Sequence, residues 1–391
     1  MMRRPPLMFY CQHSLGLGHL SRSLALCKAL ARTFDVVLLC GGKLPELIKP
    51  PDGVQLISLP PIGAAIDGRL ISHDHRFSLE DASTLRRRTI LNTFRSLRPE
   101  ALVIEFFPFG KKRFTDELVP LLEEANSSRP TAPVIASSIR DILVGRGSEQ
   151  EEFDNRASDL ANRYFDVVLA HTDPTFARLD ESFKPRVPLR IPLRYTGFVS
   201  SNGHPFHGTA DPRHGVVVSA GGGVAGAPLL NAAVSAHRLL EQDLGMTVIT
   251  GPFLPDDAWR SLQAKAKGRR GLMLLRSVPD LNSVLQTARA SVSQCGYNTS
   301  LEILMSGIPS LVVPFADGGE DEQTKRAHRL QGLGAVRVLE SSGLEPGKLA
   351  TEIQALLRFR PKKLHFDFEG GANSARILHS LHARRFEGRA S

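Results

Sequence analysis

Short runs of apolar, mostly β-branched residues alternate with longer amphipathic stretches along the whole chain. In the first half the runs are LMFYCQ, DVVLLC, VQLISL, ALVIEF, PVIASS and DVVLAH. Helical patterns such as HLSRSLALCKALAR and FDNRASDLANRYF lie between several of them. Short apolar runs bounded by turn residues read as buried strands, and strands alternating with helices read as a parallel, doubly wound sheet. The pattern breaks at 197–215, GFVSSNGHPFHGTADPRHG, a stretch rich in Gly, Pro, Ser and His that reads as a linker. It restarts with GVVVSA, GMTVIT, GLMLLR, ASVSQ, PSLVVPF and AVRVL. The prediction is an α/β chain of two Rossmann-like domains, residues 1–197 and 215–370, joined by a linker over 198–214. A last amphipathic helix is expected in 371–391, crossing back to the first domain.

Size and composition agree with that division. The chain has 391 residues, of which 42% are hydrophobic and 23% charged, as in a globular protein with room for two cores. Its four cysteines form no C-x-x-C pair and read as small buried thiols in a reducing compartment. The start lacks the apolar core of a signal peptide, and no run approaches the ~20 apolar residues that span a bilayer. A cytoplasmic location is expected. The net charge of +9 favours an anionic partner, whether a phosphate, a nucleic acid or a membrane face. The clusters Arg86 to Arg88, Lys111 to Arg113 and Arg358 to Lys363 read as solvated surface. Few aromatics interleave with them, so nucleic acid is not an expected partner. Peripheral membrane contact remains compatible with the charge.

In open parallel sheets, ligands sit beyond the carboxyl ends of the strands, so loops after strands hold the candidate chemistry. SLGLGHLSR follows the first strand. Gly16 and Gly18 allow close backbone approach, and the following helix start offers N–H groups to an anion. The third position of a dinucleotide fingerprint is Ser21, and the second strand ends without a ribose-binding acid, which argues against a dinucleotide site. His19, at the helix start, is a candidate general base, and Arg22 one turn on faces either an anion or solvent. Glu105 ends another apolar strand and is a second candidate base, unless it merely pairs with Lys111 or Lys112. In the second half, Gly221, Gly222 and Gly223 follow a first strand in the same way. In QCGYNTSLE, a helix starts on Gly296, Asn298 and Thr299 and carries Glu302 inside, a carboxylate able to accept two hydroxyls of a ribose. Asp321, Glu322 and Gln323 mark another strand-to-helix step. No motif has metal-ligand spacing, so no metal or other cofactor is expected.

The second half, from the loop at 221 through SVPDLNSVLQTARASVSQCGYNTSLEILMSGIPSLVVPFADGGEDEQTKRAHRLQGLGA, resembles the nucleotide-sugar-binding domain of the GT-B glycosyltransferases. It is closest to family 28, the group of the peptidoglycan N-acetylglucosaminyltransferases, and GLGHLSR resembles that group's first glycine loop. The resemblance implies two Rossmann-like domains facing a central cleft and transfer of a sugar, with inversion, from a UDP-sugar donor. It implies that Glu302 binds the ribose, that Val278 lies against the base through its backbone, and that Gly296 to Thr299 and Gly221 to Gly223 surround the diphosphate. Glu322 and Gln323 would meet the sugar, and His19 would stand at the catalytic centre or by the diphosphate. The form of the first loop is also similar to nucleotide-sugar hydrolases of this fold, so hydrolysis and non-catalytic binding are the alternatives. The acceptor stays open, with lipid- and phosphate-linked hydroxyls among the options, and such an acceptor would place the protein at the inner face of the membrane.

Overall fold

A computed structural model describes residues 4–13, 18–44, 48–65, 68–127, 132–200, 214–222, 225–316 and 321–386. It divides into two compact units, one made of Met1–Ser201 with Phe366–Ser391, the other of Asn202–His365. The chain therefore returns to the first unit at Phe366, a few residues before the boundary predicted at 370. Most of the predicted linker, 201–213, lies outside the described residues.

The first unit holds a seven-stranded parallel sheet. Its strands are β1 (Pro6–Cys11), β2 (Asp35–Cys40), β3 (Val54–Ser58), β4 (Ala101–Glu105), β5 (Val134–Arg140), β6 (Val167–His171) and β7 (Leu193–Tyr195), in the order β3-β2-β1-β4-β5-β6-β7. The helices are α1 (Gly18–Leu30), α2 (Leu79–Leu97), α3 (Thr115–Ser127) and α4 (Gln150–Tyr164). Alternation along β1 sends Leu7, Phe9 and Cys11 to one face and Met8 and Tyr10 to the other. The first set packs with Leu26, Cys27 and Leu30 of α1, the second with Ile90 of α2 and Leu118 and Leu121 of α3. Each such fully buried Leu or Phe contributes about 1.5–3 kcal/mol.

The second unit repeats the plan in a six-stranded sheet. Its strands are β8 (Val216–Ser219), β9 (Met246–Ile249), β10 (Leu272–Leu275), β11 (Ala290–Ser293), β12 (Ser310–Val312) and β13 (Arg337–Val338), in the order β10-β9-β8-β11-β12-β13. Its helices are α5 (Ala227–Ala236), α6 (Asp256–Ala266), α7 (Leu281–Gln286), α8 (Tyr297–Ser306), α9 (Glu322–Gly332) and α10 (Pro346–Leu356). Val216 and Val218 pack with Leu229 and Leu230 of α5 and Ile353 of α10, while Val217 turns to Leu285 and Ile308 on the other face. The last helix, α11 (Gly370–Phe386), belongs to the first unit. Leu378 joins the α1 side of that core, His382 Nε2 lies 2.5 Å from Glu100, and Arg385 pairs with Asp166 at 2.5 Å.

Both sheets reverse strand order beside their first strand, between β1 and β4 and between β8 and β11. Crossovers leave in opposite directions there, which opens a crevice beyond the carboxyl ends. The predicted strands all form. Two features escaped the pattern: β7, three residues hemmed by Pro188 and Pro192, and a small antiparallel pair, Ile62–Ala64 with Leu70–Ser72. One member of a basic cluster is also not at the surface, where the whole cluster was read, although Arg87 and Arg88 are exposed. Arg86 is 0% exposed and donates to Glu117, Gln12 and the carbonyls of Gly41 and Pro60, so its charge is spent inside the first unit. All four cysteines are buried. Among the described residues, no helix is long and apolar enough to cross a membrane.

Candidate active site

In the first unit, α1 begins just beyond β1, and its second residue is His19. Glu105 is the last residue of β4, the strand on the other side of the reversal. The sheet thus brings together two residues far apart in sequence: His19 Nδ1 lies 2.5 Å from Glu105 Oε1. Arg22, one helical turn after His19, donates to the same oxygen through a terminal guanidinium nitrogen. Glu105 is 0% exposed and Arg22 1%, whereas the His19 side chain keeps 21%. The loop after β4 then curls over the site. Phe106 takes a positive φ of 65°, and its ring meets the His19 ring edge-on at 5.5 Å.

Charge follows from this geometry. Burial alone would raise the Glu105 carboxyl, but His19, Arg22 and Lys111 outweigh it and hold the group ionised, below the usual carboxylate range. Burial pushes the His19 imidazole down, and Glu105 opposes this only in part, so the ring is neutral near pH 7. A neutral ring beside a carboxylate carries its proton on Nδ1 and donates it to Glu105. Nε2 is then a lone-pair acceptor. Of the two candidate bases, the geometry leaves a lone pair on His19 and makes Glu105 the group that orients it. A second chain of hydrogen bonds lies along the neighbouring strand ends: Ser138 Oγ is 2.8 Å from His171 Nε2, and His171 Nδ1 is 2.8 Å from Thr196 Oγ1.

In the second unit, Gly221 and Gly222 follow β8, and Gly221 has a positive φ of 56° with open space where a Cβ would stand. Gly18 and Gly296 likewise have nothing within 4 Å of that position. Gly16 and Gly223 lie outside the described residues. Gly296 is the N-cap of α8, extended at ψ 157° and without a side-chain cap, so the start of α8 is left to backbone N–H groups. Asn298 and Thr299 fall in its first turn, partly buried. Ser219 and Ser293, the last residues of β8 and β11, are register partners at the reversal, and both hydroxyls are buried without a hydrogen bond among the described residues. Glu302 lies on α8 with its carboxyl pushed up to about 7, first by burial and then by Asp280. Val278 packs against the Val217 side of the core.

Glu322, expected at the sugar, is 5% exposed and pairs with Arg326 at 2.5 Å, and Arg326 also holds the carbonyl of Cys295 at 2.8 Å. Gln323 accepts through Oε1 from the N–H groups of Cys295 and Phe315, at 3.0 and 3.2 Å, and so ties the end of β11 to the segment after β12. Its amide NH2 is the part left for a ligand.

Residues 217–374 match the glycosyltransferase family 28 C-terminal domain. The chain is 30% identical over 139 residues to the UDP-N-acetylglucosamine--N-acetylmuramyl-(pentapeptide) pyrophosphoryl-undecaprenol N-acetylglucosamine transferase of Leuconostoc citreum, covering 35% of this chain and 38% of that protein. It is 30% identical over 213 residues to the enzyme of the same name from Methylococcus capsulatus, covering 53% of this chain and 57% of that one. The chain thus spans about two fifths to three fifths of these relatives. Among solved structures, the calicheamicin glycosyltransferase CalG4 aligns over 100% of this chain and 97% of its own with a TM-score of 0.59 and 17% identity. MurG of Acinetobacter baumannii aligns over 98% and 100% with a TM-score of 0.57 and 15% identity. The fold is GT-B, and residues 217–374 are similar to a family 28 glycosyltransferase domain.

Proposed function

We propose that this protein is a glycosyltransferase that moves a sugar from a UDP-sugar to an acceptor hydroxyl with inversion, using His19 as the base. The observation that carries this reading is the His19–Glu105 pair at the strand reversal of the first unit, with Arg22 fixing the carboxylate. Nε2 of the neutral imidazole takes the proton of the acceptor hydroxyl. The hydroxyl oxygen forms a bond to the anomeric carbon, and the bond from that carbon to the diphosphate breaks, the electron pair leaving with UDP. Glu105 stabilises the imidazolium as it forms, and Arg22 keeps Glu105 ionised throughout. The second unit holds the donor: backbone N–H groups at the start of α8 and after β8 stabilise the departing diphosphate, and Glu302 accepts the ribose hydroxyls.

The family 28 match supports the donor class, since the relatives are named for UDP-N-acetylglucosamine. Their named acceptor is a pyrophosphoryl-undecaprenol lipid, and a lipid- or phosphate-linked acceptor is the reading for this chain as well. The net charge of +9 suits work from the cytoplasmic side on an anionic membrane face. The deciding test is UDP release from UDP-sugars with and without a panel of acceptors. Release that requires an acceptor supports transfer, release without one identifies hydrolysis, and binding with no release under any condition overturns the catalytic reading.

A second prediction concerns the donor alone. Ribose hydroxyls donate to an ionised carboxylate, and Glu302 protonates as pH falls through about 7. UDP affinity is therefore full above that pH and falls below it, by up to about tenfold per pH unit. Glu302→Gln is expected to weaken UDP at pH 8 by about 1.5–3 kcal/mol, the usual worth of hydrogen bonds to a charged group, and to flatten the profile. Calorimetry on both proteins across pH 5.5 to 8 separates Glu302 from the titration of UDP itself. Parallel profiles of equal affinity would remove Glu302 from the ribose.

A further inference from the structure

We infer that His171 is a positioning residue for the catalytic pair: it takes the hydroxyl proton of Ser138 and so reserves the Glu105 carboxylate for His19 and Arg22. The inference rests on the reading of His19 as the base, and it adds to that machinery a residue that touches no substrate.

The alternation that builds the first sheet also builds this arrangement. Ala101 and Val103 of β4, Val134 and Ala136 of β5, and Val167 and Leu169 of β6 all face the α1 side of the core. Side chains alternate along a strand, so Glu105, Ser138 and His171, each two residues further on, lie on that same face at the carboxyl ends. All three are 0% exposed. Glu105 and Ser138 are register partners on adjacent parallel strands, which lie about 4.8 Å apart.

The direction of the hydrogen bonds through His171 follows from Thr196. Its hydroxyl has one proton, and the Gly197 carbonyl, which can only accept, takes it at 2.9 Å. Thr196 Oγ1 therefore accepts from His171 Nδ1–H. A neutral imidazole protonated on Nδ1 has a lone pair on Nε2, and the network assigns the Ser138 proton to it. Burial keeps the ring neutral, with its pKa lowered to about 3, and the Arg22 charge acts in the same direction. Thr196 is fixed in turn. Its carbonyl accepts from Asn373 of α11 at 2.7 Å, and its N–H donates to the Ala170 carbonyl at 3.0 Å.

What this chain prevents is visible at Glu105. One carboxylate oxygen, Oε1, receives both His19 and Arg22. The other, Oε2, is buried and has no hydrogen-bond partner among the described residues. A bare, ionised, buried oxygen attracts any donor within reach. Ser138 is the hydroxyl on the neighbouring strand, at the same level and on the same face. Its proton on Oε2 would draw charge from Oε1, weaken the bond to His19 Nδ1–H and lower the basicity of His19 Nε2. His171 removes that donor by giving it another acceptor.

Nitrogen-15 NMR of the full-length protein with labelled histidine tests this, with His19→Ala and His171→Phe assigning the two rings. In the wild type both rings should carry their proton on Nδ1. His171→Phe should move His19 toward the Nε2–H tautomer and lower kcat by about 10–100-fold, the usual loss when a group that orients a functional side chain is removed. Thr196→Val keeps the His171 ring and nearly the same shape. It should move the His171 proton to Nε2, release the Ser138 proton and shift His19 in the same direction. Adding Ser138→Ala to either variant removes the competing donor and should return His19 to Nδ1–H, so a His171→Phe chain that fails to fold leaves the Thr196→Val pair to carry the comparison. A role confined to holding the fold gives no such rescue. A His19 shift that persists after Ser138→Ala overturns the inference, as does an unaltered His19 in Thr196→Val. Wild-type His19 protonated on Nε2 would overturn the base itself and this inference with it, a result that is read without any variant of the chain through His171.

Discussion

His19→Ala is expected to lower turnover by about 10²–10⁴-fold, the usual contribution of a positioned general base, and to leave UDP affinity unchanged. The two readouts move apart because the proposed donor contacts belong to the second unit, whereas His19 belongs to the first. Replacing the ring removes the one neutral nitrogen that the Glu105 contact leaves as an acceptor. It removes no cation that a diphosphate would use, since the imidazole is neutral near pH 7. Had His19 served the diphosphate, the substitution would weaken UDP in step with turnover. Steady-state rates and UDP calorimetry on the same preparations separate the two. A variant with near-normal turnover would place the base elsewhere.

The route to this prediction shows what a linear sequence carries. Apolar runs such as DVVLLC and DVVLAH are strands in the structure because β-branched residues pack well on a pleated surface buried on both faces. The glycine-marked strand ends drew attention to candidate positions in each unit. Their pairing was not legible. His19 and Glu105 each looked like a base, and only the strand order places β4 beside β1. Strand order comes from long-range packing, which local periodicity does not encode. Arg22 was open between an anion and solvent for the same reason: its partner lies on that neighbouring strand.

The α9 acids show a different limit. Glu322 looked available to a sugar because it opens a helix after a strand. Arg326, four residues later, is the signal that could have qualified it, since i and i+4 side chains meet on a helix. Their pair is buried, so it serves the junction of β11 and α9 before any ligand. Arg86 follows the same rule. It was one of three adjacent arginines, and α2 buries only that one. Charge runs identify a helix with a wet side, but not which member turns inward. His13, by contrast, carries no sequence signal at all, and it stands out only once its ring is seen without a partner among the described residues.

Glu105→Gln is expected to do two kinds of damage at once. Turnover should fall by about 10²–10⁴-fold, because an amide can donate to Nδ1 where a carboxylate can only accept. The proton then moves to Nε2, and the ring presents a donor to the acceptor hydroxyl. Stability should fall as well. Arg22 is 1% exposed and loses the carboxylate that neutralises it, and breaking one side of a buried pair costs about 3–5 kcal/mol. The double variant Arg22→Met, Glu105→Gln separates the two effects. Removing the buried cation should restore most of the stability lost in the single variant, since the two sites are in direct contact and their effects are not additive. It should restore none of the turnover, because the wrong tautomer remains. Thermal unfolding and steady-state rates on the wild type, both single variants and the double variant complete the cycle. Recovery of turnover together with stability would mean that Glu105 acts on the reaction only by holding the fold. Loss of turnover that persists in a restored fold assigns it to the proton on His19.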